Sequence, residues 1–94
     1  MAEVSRADTL RRFFGADGRL LTMPTRHAKR AVVLDELAQH FEPGHVYLER
    51  EVVEILSRFH DDHAALRRYL VDDGFLTRRE NRYWRSGGTV DVSD

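Results

Sequence analysis

The sequence predicts an α+β domain, mainly α, built as a winged helix-turn-helix core with an extra helix and a short strand ahead of it. Three observations lead there. Between residues 26 and 85 the apolar pattern runs helix, short strand, helix, turn, helix, strand, turn, strand. The connection between the last two helices is only a few residues, as two crossing helices require. The last two extended pieces flank Glu80-Asn81, which closes a tight hairpin, the wing of such a fold.

The elements follow in order. Ser5 caps a helix over residues 6–14 with Leu10, Phe13 and Phe14 at helical spacing, and Gly15 and Gly18 stop it. Arg19 to Met23 is extended and ends at Pro24. Thr25 caps the next helix, residues 26–40, whose apolar stripe is Ala31, Val32 or Val33, Leu34, Leu37, Ala38 and Phe41. Glu42-Pro43-Gly44 breaks it, and Val46-Tyr47-Leu48 is a minimal strand. A third helix spans residues 49–58, with Val52, Val53, Ile55, Leu56 and Phe59 inward and Glu49 and Glu51 in its first turn, where the helix dipole favours acids. His60-Asp61-Asp62-His63 is a turn with an aspartate cap, followed by a helix over residues 62–73 that Gly74 ends. Strands over 75–79 and 82–85 complete the hairpin. The organisation is one domain: an extension over 1–25, a core over 26–86 and a flexible tail over 87–94.

With 94 residues the chain builds one core and no deep two-lobed cleft. A composition 41% hydrophobic and 33% charged is that of a globular chain, not a disordered one. The absence of cysteine excludes disulfides, thiolate metal sites and a cysteine nucleophile. No apolar run is long enough to span a bilayer, and no secretory leader opens the chain, so a cytoplasmic location is expected. The net charge of −1 hides a partition: residues 1–30 carry seven bases against three acids, whereas residues 31–63 carry two against eight. All but one of the fifteen bases are arginine, whose planar fork suits phosphate and carboxylate.

Phe13-Phe14, Asp17-Gly18-Arg19-Leu20, Pro24 and Lys29-Arg30 occur in that order, followed by Phe41-Glu42-Pro43-Gly44, Tyr47, Glu49, Glu51-Val52, Ile55-Leu56 and Arg58-Phe59-His60. Asp62, Leu66-Arg67-Arg68-Tyr69-Leu70-Val71, Gly74, Leu76 and Tyr83-Trp84-Arg85 complete the set. The pattern resembles the bacterial domain-of-unknown-function family 2087, from about residue 10 to 88. The resemblance implies a winged-helix-like fold and an association with regulators of the arsenic-repressor type, and brings no established activity. These residues hold no separate repressor domain, so any DNA contact is expected from the domain itself.

The sequence points to duplex DNA as partner, through Arg68 on the last helix and Arg78, Arg79, Arg82 and Arg85 on the hairpin, with Lys29 and Arg30 as flanking phosphate contacts. At about 100° per residue, Leu66, Leu70, Tyr69 and Asp73 form the buried side of the last helix. Arg68 lies opposite with Ala64, Val71, Asp61 and Asp72, a surface of mixed charge. Arg67 lies sideways, in reach of an acid on the preceding helix. Alternation in a strand puts Arg82 with Trp84, Arg85 with Tyr83, and Arg78 opposite to Arg79. The alternative is a protein-interaction or dimerisation module whose apolar patch is Phe13, Phe14, Leu20 and Leu21. No enzyme is expected: Ser5, Ser57, Ser86 and Ser93 stand in no nucleophile elbow, and no glycine-rich phosphate loop follows a strand. No cofactor and no metal is expected, since His60 to His63 read as cap and turn and His27, His40 and His45 are scattered.

Overall fold

A computed structural model describes residues 5–89 of the chain. Its elements are α1 (Arg6–Phe13), α2 (His27–Ala38), β1 (Val46–Leu48), α3 (Glu49–Ser57), α4 (His63–Asp72), β2 (Leu76–Arg79) and β3 (Arg82–Arg85). The strands form one antiparallel sheet in the order β1-β3-β2, so β3 is central although it is last in the chain. The result is a small α+β fold with the element order read from the sequence.

One apolar core joins all the layers. α2 and its end supply Val33, Leu34, Leu37, Ala38 and Phe41, α3 supplies Val52 and Leu56, and α4 supplies Leu66 and Leu70. Leu76 and Tyr83 close it from the hairpin, and Leu20 closes it from the segment ahead of α2. That segment is tied down rather than merely adjacent. The Leu20 amide donates to Phe59 O at 2.8 Å, and Leu21 donates to Phe13 O at 2.8 Å. Arg19 donates Nη1 to Ser57 O and Arg58 O, each at 3.2 Å, and so satisfies carbonyls that the end of α3 leaves without helical partners.

Local signals set the ends. Ser5 Oγ accepts from the Asp8 amide at 3.3 Å, and Asp62 Oδ1 accepts from the Ala65 amide at 3.2 Å. Gly74 leaves α4 with φ of 84°, a left-handed conformation that side chains resist. At Gly87 the constraint is space: a Cβ there would lie 2.5 Å from the Gly74 carbonyl oxygen. Two expectations are corrected. Thr25 does not cap α2; the helix starts one residue later, with Arg26 at the cap position and no side-chain cap bond. The expected flexible tail does not begin at residue 87. Ser86 and Gly87 donate their amides to Phe75 O, and Thr89 binds Asp35 through its amide and its hydroxyl, each at 2.7 Å. Residues 90–94 of that expected tail lie outside the described residues.

Asp35 is buried on α2 and joins both ends of the described chain, since Arg6 of α1 also donates to it at 2.8 Å. Burial alone would raise its pKa, but the bonds from Thr89 and Arg6 outweigh it and hold the carboxyl below its ordinary value of 3.8. A lowered folded pKa contributes stability above the unfolded value, lost as pH falls through the folded one. Asp35→Ala is therefore expected to lower stability by about 2 kcal/mol at pH 7, with the gap to the wild type closing in urea titrations below about pH 4. The hairpin turn yields a second expectation. Glu80 has φ of 56°. Glu80→Gly relieves that conformation and should raise stability by about 0.5–1 kcal/mol, read as a shift of the urea midpoint at constant slope.

Candidate nucleic-acid interface

The sheet register sorts the hairpin arginines onto two faces. Tyr47, Tyr83 and Arg78 stand in one row, and Leu76 stands opposite Arg85, so these five share the face that closes the core. Val46, Trp84 and Thr77 form a row on the other face, as do Leu48, Arg82 and Arg79. The division of Arg82 with Trp84 and Arg85 with Tyr83 is the one alternation demands. Tyr83 is a core residue, whereas Trp84 is half-buried beside the exposed Val46.

On the inner face the hairpin and α4 enclose a cleft of about 230 Å³ between Arg67, Arg68, Val71, Arg78 and Tyr83. Outside that lining, a single oxygen of Glu49, Oε1, meets three donors from residues that line the cleft. The Tyr83 hydroxyl donates to it at 3.1 Å, and Arg67 Nη1 and Arg78 Nη2 lie at 3.5 and 3.7 Å. Burial of the Tyr83 ring and the bond to Glu49 both push the phenol pKa up, so the hydroxyl stays protonated and remains a donor. Arg78 is steered further: Nε donates to Glu80 O at 2.9 Å, and the guanidinium lies 5.6 Å from the centre of the Tyr83 ring. Arg67 thus finds an acid of the preceding helix. The role of Glu49 was not visible in the sequence beyond its place in the first turn of α3, because its partners lie up to 34 residues away.

The remaining arginines divide into free and committed. Arg68, Arg79 and Arg82 are exposed, and among the described residues no carboxylate or carbonyl pairs with their guanidinium groups. Arg79 and Arg82 stand directly opposite in the register, an uncompensated like-charge pair at the hairpin tip. Arg85 points the other way: it donates Nε to Gly87 O at 3.0 Å, Nη1 to Phe41 O at 3.2 Å, and Nη2 to Thr89 O. It therefore holds the chain end rather than joining the tip pair. Arg30 is likewise committed, donating Nε to Asp73 at 3.2 Å and covering the Tyr69 ring at 5.3 Å. Lys29 belongs to a separate groove of about 320 Å³ with Arg12, Met23, Pro24 and Arg26, which shares no residue with the cleft.

The apolar patch expected from Phe13, Phe14, Leu20 and Leu21 does not form a free surface. Leu20 is in the core, Phe13 and Phe14 pack against it, and only Leu21 is open, 63% exposed. An antiparallel bridge of Phe14 with Leu20, made by the Leu21 amide to Phe13 O and the Gly15 amide to Arg19 O, folds the segment back on its own domain, which is why the set is consumed internally. In the His60 to His63 turn, Asp62 caps α4, Asp61 pairs with Arg19 at 2.9 Å, and His60 Nδ1 accepts from the Asp62 amide at 2.9 Å. Among the described residues no helix is long and apolar enough to cross a membrane.

Fold and site together define a small α+β domain with a guanidinium-lined cleft between its last helix and its closing hairpin. The chain belongs to the family DUF2087, described as an uncharacterized protein conserved in bacteria, whose model matches residues 19–85 and so takes in every element from α2 to β3. No curated protein and no solved structure gives a significant match to the chain.

The sorting of arginines has a direct consequence for stability. Arg85→Ala removes the donor from three carbonyls, two of them in part-buried bonds, and should cost about 1.5–3 kcal/mol. Arg82→Ala breaks no such bond and should stay within about 0.5 kcal/mol of the wild type. Thermal melts of the two variants, compared side by side, check this.

Proposed function

We propose that the chain is a duplex-DNA-binding domain of the winged-helix kind, of the type found in transcription regulators. In this reading α4 lies toward the groove, and the β2–β3 hairpin is the wing that follows the backbone. The single observation that carries it is the set of exposed, unpaired arginines on the last helix and the closing hairpin: Arg68 on α4 and Arg79 and Arg82 at the hairpin tip. Arg79 and Arg82 contact phosphates, and Arg68 stands where a side chain of α4 meets phosphate or base edge. Arg78 lines the cleft together with Arg68. Lys29 adds a flanking phosphate contact, while Arg30 and Arg85 serve the fold. Phosphate contacts give affinity and position, and the base-edge contacts of α4 give specificity.

The chain's net charge of −1 makes the interaction a local one, strongly screened by salt. A second reading is favoured by one observation, the strip of Val46, Leu48 and Trp84 on the outer sheet face, with Val46 52% exposed. There the same fold would serve as a protein-interaction or dimerisation module.

Fluorescence-anisotropy titration with random-sequence duplex DNA at several salt concentrations separates the two. Binding with dissociation constants on the order of 1–100 μM, falling steeply with salt, is expected for the wild type. Arg82→Ala should weaken binding to all sequences alike and lower the salt slope by about one. An unchanged slope removes Arg82 from the interface. No binding at the lowest salt overturns the DNA reading and leaves the outer strip as the working surface.

A further inference from the structure

We infer that the cleft between α4 and the hairpin is a site for one phosphate group, held by Arg67 and Arg78 with Arg68 beside them, and that the Glu49 carboxylate, which lies outside the lining, competes for both guanidiniums. The inference goes beyond the duplex reading, because a phosphomonoester on a small molecule satisfies the same geometry as a phosphodiester.

The donors are in surplus. Arg67 is half-buried, its side chain 25% exposed, yet among the described residues its guanidinium makes no hydrogen bond. Its nearest acid oxygen lies at 3.5 Å, and that of Arg78 at 3.7 Å, well beyond the roughly 2.7–2.9 Å of a charge-assisted bond. Both guanidiniums approach the same oxygen, Oε1, which also takes the Tyr83 hydroxyl. One carboxylate oxygen cannot satisfy two planar forks. A phosphate group presents three or more oxygens at tetrahedral spacing and can take two parallel bonds from each fork. Arg78 is preset for this: its Nε is held by Glu80 O, so its terminal nitrogens are the ones turned to the cleft.

The surroundings fit the same ligand. Ala64 and Val71 give small apolar walls, and the volume of about 230 Å³ admits a phosphate group with part of its ester. Asp72 is the one acid on the lining, set against three arginines. Glu49 is 37% exposed, and slack pairs of that exposure contribute little to the fold. Incoming phosphate therefore displaces Glu49 from the arginines rather than breaking a structural bond, and Tyr83 retains Glu49 as acceptor. Removing the carboxylate charge while keeping that acceptor should make phosphate bind more tightly.

The test uses inorganic phosphate on the full chain, followed by the arginine Nε signals in nitrogen-edited NMR spectra. Wild type should bind weakly, with the signals of Arg67 and Arg78 moving together. Glu49→Gln keeps an oxygen for the Tyr83 hydroxyl and should bind roughly tenfold more tightly, equivalent to about 1.4 kcal/mol. Arg78→Ala and Arg67→Ala, each confirmed as folded by its melting curve, should abolish the response. Unmoved arginine signals in both wild type and Glu49→Gln, or equal affinity in the two, overturn the inference. Parallel duplex titrations identify the source of the phosphate. Tighter duplex binding by Glu49→Gln and weaker binding by Arg78→Ala mean that a DNA phosphodiester occupies the cleft. Phosphate binding without either duplex effect means a free phosphate ester, and the inference stands while the duplex reading loses the cleft. Duplex binding that depends on Arg82, with no phosphate response in the cleft, leaves the duplex reading intact and ends this one.

Discussion

What the cleft presents depends on where the hairpin stands against α4, and Tyr83 fixes that. Its ring is fully buried in the central strand, facing Tyr47 across one register and Arg78 across the other. An aromatic side chain of this size contributes strongly through burial alone, but burial does not choose an orientation. The hydroxyl does, because it must find an acceptor in the interior and finds Glu49 at the start of α3. With the ring and the hydroxyl both specified, β3 cannot slide or roll relative to α3. A slip of one residue would turn Tyr83 and Arg85 outward and bring Arg82 and Trp84 against the core.

The same pleat divides the arginines. A strand cannot put adjacent residues on one face, so Arg78 and Arg79 part company whatever the function. One consequence is economical: Arg78 serves the cleft while Arg79 serves the tip. The other is a local conflict. Arg79 opposes Arg82 at the narrow end of the hairpin, next to a turn whose Glu80 adopts φ of 56°. Like charges directly opposed and a non-glycine residue in the left-handed region both weaken the hairpin. Departures from local preference of this kind gather where a surface does work, and in the proposed reading a bound phosphate backbone would relieve the repulsion between Arg79 and Arg82.

Much of the architecture was legible in the sequence because it is written at short range. The stripe of Leu34, Leu37, Ala38 and Phe41, an aspartate cap ahead of α4, the Gly74 stop and the alternation through Arg82 to Arg85 each involve residues within a turn or two of one another. What was not legible lies at long range. The tail seemed free because Ser86-Gly87-Gly88 has the composition of a linker, yet Thr89 meets Asp35 across 54 residues. Thr25 looked like the natural cap, yet α2 begins at His27 without one. Arg85 matched the other hairpin arginines in type and spacing. Only the return of the chain end to Phe41 and Thr89 gave it a different task.

These contacts also settle how the arginine bias should be weighed. Arg6, Arg19, Arg30 and Arg85 each join segments far apart in the chain, through a carboxylate, a helix-end carbonyl or both. Arginine suits that work because one planar group serves several acceptors at fixed angles, which the point charge of lysine does not. The arginine content of this chain is therefore in part a property of its stitching and by itself says little about nucleic acid. Subtracting the stitching residues changes the argument. What remains unpaired on α4 and β2–β3 is Arg68, Arg79 and Arg82, with Arg67 and Arg78 loosely held by a shared carboxylate nearby. The case for an anionic partner rests on that residue of charge, carried by the last helix and the hairpin, and it would stand unchanged if every stitching arginine were absent from the count.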